Sequence, residues 1–82
     1  MEEKRIAVLS ILVESKGEVA QLNAYLSEYG EYIVARMGIP YREKNVSVLS
    51  VVLDAPVPVV NALTGKLGKL AGVTAKTLFS KI

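Results

Sequence analysis

The sequence predicts an α+β fold: a ferredoxin-like βαββαβ two-layer sandwich in which two helices cover one face of a four-stranded antiparallel sheet. Two observations predict it. Four short apolar segments are rich in β-branched residues, and two segments with apolar residues at helical spacing separate them in the order strand, helix, strand, strand, helix, strand. Right-handed crossovers then place both helices on the same face. With 82 residues, the chain is expected to form one domain, residues 1–82.

The strands are predicted from apolar runs, and the turns from glycine, proline and charged residues. Gly17 marks the turn after the first strand, and a charged hairpin loop at residues 42–45 separates the second strand from the third. Gly38 and Pro40 weaken the second strand. The four predicted strands are residues 5–13, 31–37, 46–53 and 73–81.

Each predicted helix has one apolar stripe at positions i, i+3, i+7 and i+10, which is typical of a helix that packs by one face. Ser15 is the expected N-cap of the first helix, because Glu18 follows it at capping-box spacing. Gly30 is expected to end that helix in the left-handed conformation, and Gly72 to end the second. The stripes are Val19, Leu22, Leu26 and Tyr29 in residues 18–29, and Val60, Leu63, Leu67 and Leu70 after the turn at residues 54–58.

The sheet face that points away from the helices should be polar, because in a two-layer sandwich it meets water. The first and third strands are central in this fold, and both have apolar residues on both faces. Hydrophobic residues make up 51% of the chain, which is high for a domain with so little interior. The sequence therefore predicts a homo-oligomer, a dimer or tetramer, that buries this face. The alternative is that central strands are simply apolar.

The chain has no histidine and no cysteine. Their absence removes most sites for zinc, copper, nickel and iron, and the triads and dyads that use histidine as a base. The acidic residues lie in termini, turns or a helix face, and we interpret them as solvated. We therefore expect a protein that is not an enzyme and has neither a metal nor another cofactor.

Nucleic acids and membranes are not expected partners. The net charge is only +2, and the predicted central strands lack the aromatic residues on which single-strand binders of this fold stack bases. No apolar run approaches the roughly 18 residues of a membrane span, and the N-terminus does not resemble a signal peptide. A cytoplasmic location is the default expectation.

One candidate binding site lies at the turn between the first strand and the first helix. Backbone amides at a helix N-terminus can hold a carboxylate or another anion, and a lysine in the turn could assist them. The candidate small-molecule site consists of Ser15, Lys16, Gly17 and Glu18. The alternative is an ordinary capped turn with no ligand.

Three segments resemble regulatory domains of known families. Residues 14–22 (Glu-Ser-Lys-Gly-Glu-Val-Ala-Gln-Leu) are similar to the strand-to-helix corner of ACT-type domains, and residues 67–73 (Leu-Gly-Lys-Leu-Ala-Gly-Val) to their closing segment. Residues 33–54 resemble the C-terminal domain of the nickel-responsive repressor. The whole chain, and most of all residues 36–40 (Arg-Met-Gly-Ile-Pro), resembles the small proteins named iron-only hydrogenase system regulators.

The resemblance implies an ACT-like oligomeric regulatory domain that senses a small molecule or serves in assembly, linked to transcriptional regulation. The sequence differs from the nickel-responsive repressor in two ways that limit this resemblance. The repressor's metal ligands align with Gly38, Pro40 and Val46, which cannot bind nickel, and the chain begins at the regulatory domain without the repressor's DNA-binding domain. Regulation through a partner protein is therefore expected, rather than direct contact with DNA.

Two other functions remain open at the level of sequence. One is a pure protein–protein interaction or oligomerisation module with no ligand, whose function lies in the apolar sheet face. The other is a weak nucleic-acid binder, whose contacts would come from basic residues: Arg36, Arg42, Lys44, Lys66, Lys69 and Lys76.

Overall fold

A computed structural model describes residues 3–14 and 18–81 of the chain. In these residues it has four strands and two α-helices in the predicted order, and the antiparallel sheet has the strand order β2-β3-β1-β4. This arrangement confirms the predicted ferredoxin-like fold. The elements are β1 (Lys4–Glu14), α1 (Val19–Glu28), β2 (Ile33–Tyr41), β3 (Val46–Pro56), α2 (Val57–Gly68) and β4 (Val73–Phe79).

The central strands β1 and β3 pair over their full length, from Lys4 opposite Pro56 to Glu14 opposite Val46. Their side chains alternate between the two faces, and every second residue points into the core beneath the helices. The inward residues of the two strands form a continuous apolar layer. They are Ala7, Leu9, Ile11 and Val13 in β1 and Leu49, Val51, Leu53 and Ala55 in β3, all at most 8% exposed.

The two helices bury the middle of each predicted stripe. Leu22 and Leu26 of α1 are buried, and so are Val60, Leu63 and Leu67 of α2. Burying one such aliphatic side chain stabilises the fold by roughly 1.5–3 kcal/mol. The ends of the stripes are less covered: Tyr29 and Leu70 are partly buried, and Val19 is 49% exposed because it lies in the first turn of α1. Neither helix, nor any other helix in the described residues, is long and apolar enough to cross a membrane.

The second strand lies further along the chain than predicted. A 3-10 turn occupies Gly30–Tyr32, and β2 then continues through Gly38 and Pro40 to Tyr41. Proline is tolerated because β2 is an edge strand, where an amide that faces outward needs no partner. Gly38 keeps its place in the pairing, opposite Leu49, and a Cβ there would make an ordinary van der Waals contact with the leucine side chain at 3.5 Å.

Several predicted ends of elements were wrong. The N-cap of α1 is Glu18 rather than Ser15, which lies outside the described residues. Gly30 is not left-handed, since α1 ends earlier and the glycine opens the 3-10 turn. The second helix starts directly after β3 and ends at Gly68, and the left-handed Gly72 (φ 72°) belongs to the turn before β4.

Candidate functional site

The sheet face away from the helices is here called the outer face. It consists of the even-numbered residues of β1, β3 and β4 and the odd-numbered residues of β2 from Ala35 to Tyr41, which the strand register aligns. Seven of the nine large hydrophobic side chains that the described residues expose lie on it. They are Ile6 (44% exposed), Leu12 (46%), Met37 (67%), Ile39 (61%), Tyr41 (46%), Val48 (43%) and Leu78 (73%).

The charged residues of the outer face lie mostly at its margins. Lys4 and Glu14 stand at the two ends of β1, and Asp54 lies near the end of β3. Only Lys76 shares a row with the middle of the sheet, beside Ser10. Monomeric proteins rarely expose a large contiguous apolar patch with polar residues at its margin, and such patches mark interaction sites. The outer face therefore has the composition of an interface.

The predicted binding turn is only partly described. Ser15, Lys16 and Gly17 lie outside the described residues, and Glu18 is the one member whose contacts are known. Its amide donates to the Ala71 carbonyl (3.3 Å), and its Oε2 atom accepts from the Ala71 amide (3.0 Å). The Glu18 carboxylate is thus already used to bind the turn before β4.

The other end of the β1–α1 connection is fastened to the same turn. The Glu14 amide donates to the Gly72 carbonyl over 2.8 Å. The turn at residues 69–72 therefore holds both the last residue of β1 and the N-cap of α1. Two backbone hydrogen bonds and one bond from a backbone amide to the Glu18 side chain thus link the β1–α1 connection to the turn before β4.

A second candidate site is a pocket of about 160 Å3 at the β2–β3 hairpin, here called the hairpin pocket. Its floor is one row of the sheet on the helix side, because Pro40, Ser47 and Val13 are cross-strand neighbours. The connection between β2 and β3 supplies Arg42 and Asn45. The complete lining is Val13, Pro40, Tyr41, Arg42, Asn45, Val46 and Ser47.

The hairpin pocket was not predicted from the sequence, although the charged loop was placed correctly. The pocket needs Val13 and Ser47 side by side, which is a matter of strand register between distant segments. Asn45 carries the one local indication, since it has left-handed backbone angles (φ 54°, ψ 43°), which asparagine tolerates better than most residues. Its position after a charged triplet indicates a tight turn, but not a pocket.

The third cluster joins the two helices on the surface. The Lys66 ammonium of α2 donates to Glu28 Oε2 (2.9 Å) and lies 5.0 Å and 5.6 Å from the ring centres of Tyr29 and Tyr25 in α1. The side-chain contact with Tyr29 and then the Glu28 carboxylate raise the pKa of Lys66 above its ordinary value. The Lys66 side chain therefore stays protonated and links the two helices through its ion pair with Glu28.

Neither metal binding nor a single basic surface emerges from the arrangement. The described residues contain no group of three or more side chains of the metal-ligating types, and Gly38, Pro40 and Val46 contribute no ligating side chain. The basic residues are divided among the hairpin, α2 and the outer face, and Arg36 donates to Asn23 of α1 (3.1 Å).

The comparisons with known proteins agree with this fold. The sequence model of a family described as "TM1266-like: Iron-only hydrogenase system regulator, putative" matches residues 5–77. No curated protein matches significantly. The structure of the uncharacterized protein TM1266 from Thermotoga maritima is similar to this chain, with 39% sequence identity and a TM-score of 0.92 over 96% of this chain and 100% of that one. Because the family model spans nearly all of the sheet and both helices, the chain belongs to the TM1266-like family of iron-only hydrogenase system regulators.

Proposed function

We propose that this chain is a non-enzymatic, cytoplasmic regulatory domain of the iron-only hydrogenase system that works as a homo-oligomer built on its outer face. A small effector bound at the β1–α1 turn, at Ser15, Lys16, Gly17 and Glu18, would bias this assembly. The oligomer would then act on transcription through a partner protein. The observation that supports the proposal is the apolar outer face, which carries seven large exposed hydrophobic side chains.

The size of the outer face supports self-association. Four strands spaced about 4.8 Å apart, with about eight residues of ~3.3 Å each, cover roughly 500 Å2 before side-chain relief is counted. A standard interface buries about 800 Å2 per partner. At about 25 cal/mol/Å2, two wholly apolar faces of roughly 500 Å2 would contribute at most about 25 kcal/mol, against an association cost of about 4–15 kcal/mol.

The contacts around the β1–α1 connection offer a route from effector to assembly. Glu14 and Glu18 are both hydrogen-bonded to the turn at residues 69–72, and β4 begins at the next residue. β4 carries Leu78, the most exposed large hydrophobic side chain of the outer face. An effector that binds one arrangement of this turn more tightly than another would shift the assembly by that difference in affinity.

A pure interaction module with no ligand is the second candidate function. The Glu18 carboxylate favours it, because one of its oxygens already accepts the Ala71 amide. A carboxylate that already links the start of α1 to the turn before β4 has a structural role without an effector. In that case the outer face alone would carry the function.

Light scattering over a dilution series tests the assembly. We expect a stable dimer or tetramer that Val48→Asp converts to a monomer, since a buried carboxylate without a partner is strongly unfavourable. Val19→Asp is the matched control, because Val19 is exposed to a similar degree (49% against 43%) but lies in α1, on the opposite side of the sheet. A wild-type chain that stays monomeric at high concentration would overturn the proposal.

The effector is tested by thermal unfolding with sodium glutamate as a representative carboxylate. Binding to the folded chain raises the midpoint progressively with ligand concentration. We expect Lys16→Glu to abolish the rise. A midpoint that never moves, in a chain that does assemble, would leave the interaction module as the function.

A further inference from the structure

Most of the hairpin pocket lies outside the outer face, with which it shares only Tyr41 and Val46. Its floor, formed by Pro40, Ser47 and Val13, lies on the helix side of the sheet, where the side chains of these cross-strand neighbours point away from the outer face. A second copy packed on the outer face would leave this side of the hairpin open. The pocket is therefore free to bind something else in the oligomer.

Three polar side chains around the pocket have no partner in the described part of the chain. The guanidinium of Arg42, the amide of Asn45 and the hydroxyl of Ser47 form no hydrogen bond or ion pair with another described residue. Val13 and Pro40 contribute apolar surface between them. An apolar floor with a few convergent polar groups is the usual composition of a small-ligand site.

The charge of the pocket selects an anion. Arg42 has only donors, in a planar fork that matches a carboxylate, and Lys44 stands two residues away. Glu43 lies between them, and its Oε2 accepts the Tyr41 hydroxyl over 3.3 Å. The three residues 42–44 together keep one net positive charge, and a ligand with a carboxylate at one end would meet the unpaired donors of Arg42.

The volume of the pocket limits the size of that ligand. About 160 Å3 corresponds to roughly five water molecules at ~30 Å3 each. A carboxylate with a chain of a few carbon atoms occupies such a space. The apolar surface of Val13 and Pro40 favours a hydrocarbon chain over a second charged group.

We propose that the hairpin pocket binds a short-chain carboxylate. Arg42 holds the carboxylate in bidentate fashion, Asn45 and Ser47 donate to it, and the hydrocarbon chain rests on Val13 and Pro40. This inference rests on the proposed function in one respect: it supplies a ligand class and a second location for an effector of the same domain. Apart from Tyr41 and Val46, the lining residues of the pocket lie outside the outer face.

The test uses the complete chain and sodium butyrate as the probe, followed by two-dimensional amide NMR at constant ionic strength. We expect saturable shifts concentrated in residues 41–47 and at Val13. Butyramide, which has the same shape without the charge, should bind at least tenfold more weakly. Shifts spread over the surface, or equal affinity for the amide, would overturn the proposal.

Variants separate the guanidinium from general electrostatics. Arg42→Gln should weaken butyrate at least tenfold, and Arg42→Lys should give an intermediate loss because it keeps the charge but not the fork. Arg36→Gln is the matched control, since Arg36 is an exposed arginine of β2 that donates to Asn23 rather than to the pocket. We expect its affinity for butyrate to equal that of the wild type.

Light scattering on the same samples distinguishes the two proposals. If the chain assembles and butyrate does not bind the pocket, the ligand class is wrong and the assembly stands. If butyrate binds through Arg42 and the chain is a monomer, the assembly is wrong and the pocket stands. An Arg42→Gln variant that binds butyrate as well as the wild type would also overturn the pocket, whatever the mass.

Discussion

The two faces of the sheet are made of the same residue types but have opposite surroundings. On the helix side, Leu9, Ile11 and Leu53 are completely buried. On the outer face, Leu12 and Val48 of the same two central strands keep 46% and 43% of their surface exposed. An apolar side chain therefore does not say whether it belongs to the core of the domain or to its interface. Whether an apolar side chain is buried depends on whether another layer of the structure covers its face of the sheet.

The two faces also differ in the number of ion pairs and side-chain hydrogen bonds that they make. The helix layer is tied by polar contacts, namely the pair of Lys66 and Glu28 between the helices and the bonds of Glu18 to Ala71. Among the described residues, the outer face has no ion pair and no side-chain hydrogen bond apart from that of Tyr41 with Glu43 at its margin. This contrast agrees with the proposal that the outer face is an interface.

The largest expected effect is the loss of unfolding free energy on truncating a buried residue of the helix side. Its dependence on protein concentration should distinguish this face from the outer face. Leu53→Ala removes a fully buried side chain and leaves a cavity, which should lower the free energy of unfolding by about 2–5 kcal/mol. Because this loss lies inside one chain, it should not change with protein concentration. Urea unfolding at several concentrations measures it.

Val52→Ala is the matched change on the outer face, one residue away in β3 and only partly buried. Its cost should be about 1 kcal/mol in dilute solution and should grow as the protein is concentrated, because it weakens the assembly. If the cost of Val52→Ala stayed the same at every concentration, the outer face would not be an interface.

The strand and helix order could be predicted because each element has its own local periodicity. Apolar residues four positions apart predict one face of a helix from a short stretch of sequence, as Leu22 and Leu26 do in α1 and Leu63 and Leu67 do in α2. The same alternation in β1 and β3 predicted that the two faces of the sheet would be equally apolar. The local patterns were thus sufficient to predict a helix layer packed on a sheet.

The ends of the elements and the sites could not be predicted, because they depend on contacts between distant segments. Glu18 is the N-cap of α1 in a conformation that also serves Ala71, 53 residues later. The hairpin pocket requires Val13 opposite Ser47. The Lys66 cluster requires two helices to meet. Only tertiary structure brings such residues together.

An intermediate effect is expected from the hydrogen bond between the Glu18 side chain and the Ala71 amide, which links the start of α1 to the turn before β4. Glu18→Ala removes the acceptor of the Ala71 amide, which should lower the free energy of unfolding by about 1 kcal/mol. Glu18→Gln is the control, because its side-chain oxygen can still accept. Hydrogen exchange of the Ala71 amide should accelerate in the alanine variant only. Equal exchange in both variants would show that the contact does not hold the turn.

The smallest effect concerns Lys66, whose ion pair is exposed to solvent on both sides. Lys66→Met should lower the thermal midpoint slightly, and the difference from the wild type should shrink as salt is added. Because the pKa of Lys66 is raised in the folded chain, the stabilisation is complete below the ordinary lysine pKa of about 10.4. It should decline as the pH rises above that value, where the unfolded chain loses the proton first.

Lys66→Arg separates the deprotonation of Lys66 from other effects of alkaline pH. Arginine keeps its charge at these pH values and can still pair with Glu28 and lie over the rings. Its advantage over Lys66→Met should therefore persist at pH 11, where that of the wild type has begun to fall. If the wild type and the arginine variant declined together, the loss would not come from the deprotonation of Lys66. The polar contacts of the helix layer would then be those of Glu18 with Ala71, Thr64 with Thr77 and Arg36 with Asn23.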